Sequence, residues 1–225
     1  MAIHAVPLDP PRPGLVLPEL VATTPLSEAE AAELYAALVT DVLAAAERSG
    51  GEVFVNYRDE ATLEDATGRR DGEPSAEAAV RSLAAAALDD PDAARFEVQV
   101  GSTPAARAGN TVTHLLREEG ADSVSVLDPR APTVARTDLD GAAMSLRRNE
   151  TVLGPAPGGR LYYHGMTDPV DFAGIYDPPE LSTAARRAAE AGHDIDFAGM
   201  HPVVTTCRDL ATLLVTLEEI GRAHV

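Results

Sequence analysis

The chain contains no lysine and no tryptophan, one cysteine, and among aromatic residues only 5 tyrosines and 4 phenylalanines. Its 18 basic residues are therefore all arginine, set against 36 acids for a net charge of −18. Each scarcity excludes something. A lone Cys207 cannot close an internal disulfide. No run approaches the roughly 18 apolar residues of a membrane span. The opening MAIHAVPLDPP lacks a basic stretch and a cleavage site, which points to a cytoplasmic protein. So acidic a surface should repel nucleic acid and anionic membranes. Walker loop, Gly-x-Ser-x-Gly elbow and dinucleotide glycine fingerprint are all missing, which argues against ATPase, hydrolase and dehydrogenase chemistry.

What is present is a globular composition. Apolar residues make up 45% of the 225-residue chain, enough to build the core of a single domain over 1–225. The acids are spread along the whole chain, as on a surface suited to a salt-rich cytoplasm. Arginine in place of lysine, with abundant alanine, fits a GC-rich genome of haloarchaeal type.

Local signals alternate between strand and helix. AIHAVPL reads as a first strand and DPPRPG as a loop. Ser27 with Glu30 forms a capping-box pattern ahead of Leu34, Leu38, Val42 and Ala45 at helical spacing, and Gly50-Gly51 ends that helix. EVFVNY (52–57) is a strand, 58–74 a polar loop, 75–88 an alanine-rich helix, and RFEVQVG (95–101) a strand. Thr103-Pro104 opens a helix running to about Glu119. SVSVLD (123–128) is a strand ending in an acid, Asp138 caps a short helix to about Arg148, and ETVLGPA is a strand running into the Gly-rich GPAPGGR. After a loop over 168–179, Ser182 or Thr183 starts a helix to Ala191, IDFAGM is a late edge strand, and Thr206–Ile220 is the last helix, with Leu210, Leu213, Leu214 and Leu217 on one face.

This order predicts an α/β fold, a three-layer sandwich around a central mixed, mostly parallel sheet. Ligands in such sheets sit beyond the carboxyl ends of strands. Asp128 after SVSVL and the Gly-rich turn after TVL occupy such places.

The same motifs, in order, carry a family resemblance: PRPG, LSEAEAAELYAALVTDVL, SVSVLDPRAP, VLGPAPGGRLYYHG, STAARRAAEAG and TTCRDLATL. Over nearly its whole length the chain resembles the GT-A-fold glycosyltransferase-like proteins, nucleotide-diphospho-sugar transferases. More distantly it resembles nucleotidyltransferases of the 2-phospho-lactate guanylyltransferase type. The resemblance implies a sugar nucleotide as substrate, Mg²⁺ or Mn²⁺ as cofactor, and Asp128 as catalytic residue and metal ligand. The pocket it implies takes nucleotide or sugar contacts from Pro13, Gly14, Gly154, Pro155, Gly158, Gly159 and Tyr162, to which the residues themselves add Arg12 and Arg160 as candidate anion contacts.

The chain departs from the family at several of these places. After Pro13-Gly14, where the family carries Lys-Thr-Arg-Leu, stands Leu15-Val16-Leu17-Pro18-Glu19-Leu20. The second acid after Asp128 is absent from DPRAPTV. Val203-Val204-Thr205-Thr206 replaces Asp-x-Asp-Thr, and Pro157-Gly158 replaces Glu-Asp. A diphosphate leaving group needs its charge neutralised, and Arg12, Arg130 and Arg160 are the candidates for that role.

Read from the residues alone, each position keeps a structural alternative. Asp128 could be a turn acid before Pro129, and the glycines could serve only their turn. Tyr162 and Tyr163, adjacent on a strand, should point to opposite faces, so that at most one meets a ligand. His164, His193 and His201 show no metal-ligand spacing, and Cys207 reads as a buried structural thiol. Two functions therefore stand side by side: a sugar-nucleotide-dependent transferase, and a non-catalytic binding protein of the same fold. A homodimer is left open. The charge pattern yields one measurable consequence. Because molar salt shortens the Debye length to about 3 Å, raising KCl from 0.1 M to 2 M is expected to increase the melting temperature by about 5 °C or more, as read by calorimetry.

Overall fold

A computed structural model describes residues 1–63 and 72–223, with side chains up to residue 218. Seven strands form one sheet: β1 (Ala2–Leu8), β2 (Glu52–Tyr57), β3 (Arg95–Val98), β4 (Ser123–Leu127), β5 (Thr151–Ala156), β6 (Arg160–Met166) and β7 (Ile195–Phe197), in the order β3-β2-β1-β4-β6-β5-β7. β1 to β4 are mutually parallel, β6 alone runs against its neighbours β4 and β5, and β7 returns parallel to β5. The helices are α1 (Pro18–Thr23), α2 (Glu28–Arg48), α3 (Ala76–Ala87), α4 (Pro104–Thr113), α5 (Arg136–Ser145), α6 (Glu180–Glu190) and α7 (Cys207–Ala223). No helix among the described residues is long and apolar enough to cross a membrane.

Two buried clusters on opposite sides of the sheet make the three layers. On one side Val6, Leu8, Val55 and Leu127 pack against Val39, Val42 and Leu43 of α2, Val80 of α3 and Leu139 of α5. On the other, Ile3, Ala5, Val124 and Val126 meet Val112 and Leu115 from the α4 segment and Ala184 and Ala188 of α6. The alternation along β1 and β4 sorts side chains between these layers. The predicted α/β architecture is what the chain adopts.

Local chemistry explains most element ends. Ser27 accepts from the Glu30 amide at 3.2 Å while the Glu30 carboxylate accepts from the Ser27 amide at 2.8 Å, the reciprocal capping box. The Ser75 and Thr103 hydroxyls cap α3 and α4 by accepting from the Ala78 and Ala106 amides at 3.2 and 3.1 Å. α4 continues into one wide turn over His114–Glu118, and Gly120, at φ +71°, ends it.

Several expectations change. Asp138 is not the cap of α5: Ala135 is, and Asp138 sits at the third helical position, accepting from the Ala135 amide at 2.8 Å. α6 starts at Glu180 rather than at Ser182 or Thr183, because the Glu180 carboxylate is drawn to the Leu161 amide at 2.9 Å. β3 and β7 are shorter than RFEVQVG and IDFAGM. Cys207 is exposed, not buried, since it opens α7 on the outer face. Leu213 is buried, but Leu214 and Leu217 on the same helix are 55% and 48% exposed. Of the polar loop over 58–74, residues 64–71 lie outside the described residues.

An unexpected element follows β1. No helix is expected from sequence before Ser27, yet Leu17 takes a left-handed conformation (φ 51°) and Pro18 starts the short helix α1. Val16, Leu17 and Leu20 are buried beside α2, and Glu19 faces solvent. An apolar plug thus stands where the resemblance implies phosphate-binding cations.

The β5–β6 ladder shifts register between Gly154 and Pro155, which pair with Tyr163 and Leu161. Tyr162 is the extra residue of a bulge. Because a bulge turns neighbouring side chains toward one side, Tyr162 and Tyr163 are both buried in one cluster, ring centroids 6.3 Å apart, instead of on opposite faces. A Cβ on Gly154 would stand 2.6 Å from the Tyr162 ring. Gly154→Ala is expected to destabilise by about 1–3 kcal/mol. Gly141→Ala in α5, where a Cβ meets nothing within 4 Å, should stabilise by about 0.5–1 kcal/mol. Urea unfolding of the two variants checks both signs.

Candidate functional site

The strand ends surround a cleft of about 450 Å³. β1 contributes Pro7 and Leu8 and leads into Asp9, β2 contributes Asn56 and leads into Arg58, and β4 leads into Asp128 and Arg130. β6 contributes Leu161 to His164, α4 brings Arg107 and Thr111, and the apolar Leu15–Pro18 segment forms one wall. Tyr176 and Glu180 close the opposite side. The cleft sits where the strand order turns from β1 to β4, the switch point that collects ligands in open α/β sheets.

The bulge fixes Asp128. Its amide donates to the carbonyl of the bulged Tyr162 at 2.8 Å. The carboxylate then folds back on Arg130: Oδ1 accepts from the Arg130 amide at 2.8 Å and from Nε at 2.9 Å, and Oδ2 accepts from Nη2 at 2.7 Å. This is a bidentate fork, and it occupies both oxygens of the residue that the resemblance names as a metal ligand. No group of three His, Cys, Asp or Glu residues gathers among the described residues. The donor set therefore does not form a ready Mg²⁺ or Mn²⁺ cage, which needs several hard oxygen ligands.

On the α4 side a network of amides holds the strand ends. Gln99 Nε2 donates to the Asn56 carbonyl at 2.7 Å, Asn56 Nδ2 donates to the Glu97 carbonyl at 3.2 Å, and the Thr111 hydroxyl donates to Asn56 Oδ1 at 2.8 Å. Arg58 reaches Asp9 at 3.4 Å and also the Thr62 carbonyl. Burial raises the Asp9 carboxyl above its usual range, with Arg58, Arg107 and Arg130 opposing. Its amide donates to the Tyr35 hydroxyl at 3.2 Å.

Several buried polar atoms facing this cleft have no hydrogen-bond partner: Nε of Arg58, Nε of Arg107, both ring nitrogens of His164 and the hydroxyl of Tyr176. Unpaired buried polar groups are costly, and a single cavity gathers most of those found among the described residues.

Of the other residues named from sequence, Tyr162 lines the cleft. Arg12 and Pro13 line a separate recess beside α3. There the Arg12 guanidinium, 7% exposed, forks onto Glu60 at 2.6 and 2.9 Å and donates to the Pro74 carbonyl at 3.0 Å. Gly14, at φ +81°, is exposed in the first loop. Gly154 and Pro155 belong to the bulge, and Gly158 and Gly159, at φ +81° and +75°, make the turn between β5 and β6. Arg160 points from that turn to α7, with Nη2 at 2.6 Å from Asp209 Oδ1 and Nη1 at 2.6 Å from the Thr205 hydroxyl. Burial pushes Asp209 up, but the bonds from Arg160, Thr206 and Thr205 hold it well below the usual carboxylate range. Residues not singled out beforehand are Asp9, Arg58, Arg107, His164 as a cleft residue, Tyr176 and Glu180. Position just past a strand would have flagged Arg58; Arg107 and Tyr176 carry no local signal.

With that geometry in hand, the likenesses to solved structures can be placed. The chain is similar to a candidate nucleotide-diphospho-sugar transferase from Desulfovibrio desulfuricans G20, at 18% identity and TM-score 0.72, covering 94% of this chain and 85% of that one. It is also similar to 4-diphosphocytidyl-2C-methyl-D-erythritol synthase from Anaerococcus prevotii DSM 20548, at 11% identity, TM-score 0.56 and coverage of 97% and 96%. A third is CMP:2-keto-3-deoxy-manno-octonic acid synthetase complexed with CTP, at 12% identity, TM-score 0.54 and coverage of 97% and 98%. At these identities the likeness establishes a shared fold. No protein-family model and no curated protein sequence matches the chain.

The buried histidines give the stability of the fold a pH dependence. Burial lowers His164 to about 3, His193 adding to the shift, and lowers His4 to about 4 against the opposing charge of Asp140. Both regain about 6.5 on unfolding. The unfolded chain then binds more protons, so stability falls as pH drops from about 6.5 towards 4. His164→Phe is expected to flatten the slope of unfolding free energy across that window by up to about 1.4 kcal/mol per pH unit, measured by urea titrations at successive pH values.

Proposed function

We propose that this protein is a transferase that takes a nucleotide-activated substrate, in the first place a sugar nucleotide, into the cleft between β1, β4 and β6. The observation that carries this reading is the concentration of unpaired Arg58, Arg107, His164 and Tyr176 polar atoms on one cleft at the switch point of the sheet. Such a lining suits a large, polar, anionic ligand that supplies the missing hydrogen bonds. The likeness to the Desulfovibrio transferase and to the CTP-bound synthetase supports the same assignment.

In this reading the Leu15–Pro18 wall packs on the apolar part of the ligand, and guanidinium groups face its phosphates. Asp128 holds the Arg130 guanidinium at the reacting end through the fork described above. Transfer from a diphosphate builds negative charge on the leaving group, and preorganised cations stabilise it. The alternative, a non-catalytic binder, is favoured by one specific observation. Arg12, Arg130 and Arg160 are each already neutralised by a carboxylate within the protein.

Thermal shifts with UDP-, GDP- and dTDP-sugars, with and without Mg²⁺ or Mn²⁺ at molar KCl, are expected to rise for at least one nucleotide. Asp128→Asn should lower turnover of that nucleotide by roughly 10²-fold, measured as release of its nucleoside phosphate. Failure of every nucleotide to shift the melting temperature would overturn the transferase reading. Binding without turnover would assign the protein to the non-catalytic alternative.

A further inference from the structure

Among the described residues, Arg107 differs from the other arginines that line the two recesses. Arg12 and Arg130 each fork onto a carboxylate at 2.6–2.7 Å, and Arg58 reaches Asp9 at 3.4 Å. Arg107 has no carboxylate within ion-pair range among the described residues, and its Nε is buried without a partner. It lines the cleft together with Arg58, whose Nε is likewise buried and unpaired. We propose that Arg58 and Arg107 form an oxyanion subsite on the α4 side of the cleft, taking the phosphoryl or carboxylate group of an anionic ligand. The proposal rests on the reading of the cleft as a ligand site, and it places the ligand's charge away from the first loop, which is an apolar plug.

Three further features support it. Two guanidinium groups line one cleft, and among the described residues Asp9 is the one acid that acts on both, so the pair lacks a full counter-charge there. Burial lowers the Arg107 pKa, Arg58 lowers it further, and Asp9 compensates only in part. The platform is also rigid. The Thr111 hydroxyl ties α4, one turn beyond Arg107, to Asn56, and Gln99 ties the end of β3 to the same residue. Finally, α4 begins at this wall with Pro104 lining the cleft, so the positive end of its backbone dipole adds to the same field. An oxyanion bound in the cleft would meet guanidinium groups from both residues, whose planar forks match phosphoryl and carboxylate oxygens.

The test uses pyrophosphate and malonate as probes at constant ionic strength, with melting temperature as the readout, on the wild type, Arg107→Met, Arg107→Lys and the surface control Arg117→Met. The wild type and Arg117→Met should show a saturable rise with at least one probe. Arg107→Met should weaken the apparent affinity at least tenfold, and Arg107→Lys should fall between. Without any anion, Arg107→Met should melt at or above the wild type, because it removes a partly desolvated, unpaired charge. Response to pyrophosphate alone assigns a phosphoryl ligand, and response to malonate alone a carboxylate; either supports the subsite. No response to either probe in the wild type, or an equal response in Arg107→Met, overturns it. Running the nucleotide series on the same proteins separates the two claims. A nucleotide that stabilises wild type and Arg107→Met equally leaves the transferase reading standing and removes the subsite. Pyrophosphate binding without nucleotide binding does the reverse.

Discussion

A guanidinium taken out of water must meet an oxyanion, and in a chain without lysine every buried cation is a guanidinium. Much of this structure can be understood as the consequence. Arg12 binds the loop around Glu60 and Pro74 to the segment after β1. Arg160 fastens the β5–β6 turn to the start of α7 through Asp209. Arg130 locks onto Asp128 at the end of β4. The need is sharpest at Arg12, which is 7% exposed, since losing its carboxylate would leave a buried charge uncompensated. The same requirement makes the exception informative: where a cleft arginine has no acid of its own, a ligand is the natural partner.

The cleft is shaped by one irregularity in an otherwise regular sheet. β6 runs against β4 and β5, and its bulge at Tyr162 puts an extra residue opposite Gly154 and Pro155. The bulged carbonyl receives the Asp128 amide, so the acid at the end of β4 is held by the neighbouring strand and not only by its own turn. Gly154 is required there because the Tyr162 ring lies where a Cβ would go. The Gly-rich stretch therefore shapes the cleft from behind, through backbone geometry, while its Arg160 looks away toward α7.

The altered first loop shows how one sequence change redistributes chemistry. With Leu15-Val16-Leu17-Pro18 after Pro13-Gly14, hydrophobic burial outweighs any local polar role. The segment folds into α1 against α2. The cost is a left-handed Leu17, a conformation that strains a residue with a γ-branched side chain. The cleft keeps an apolar wall there, while Arg58, just past β2, and Arg107 of α4 line it as well.

Sequence alone determined the alternation of strands and helices, the cap residues Ser27 and Thr103, the end of β4 next to Asp128 and the absence of an internal disulfide. These are local matters, set by periodicity and by hydrogen bonds between residues three or four apart. It misread Asp138 as the cap of α5 and Cys207 as buried, and it did not show that Pro18 begins a helix, because tertiary packing settles those. It could not show that Arg12 and Arg160 are spent on Glu60 and Asp209, 48 and 49 positions away. Nor could it show that Arg58 and Arg107 share one wall with His164 and Tyr176. Charge compensation and cavity lining join residues distant in the chain, so only the folded sheet brings them within reach of one another.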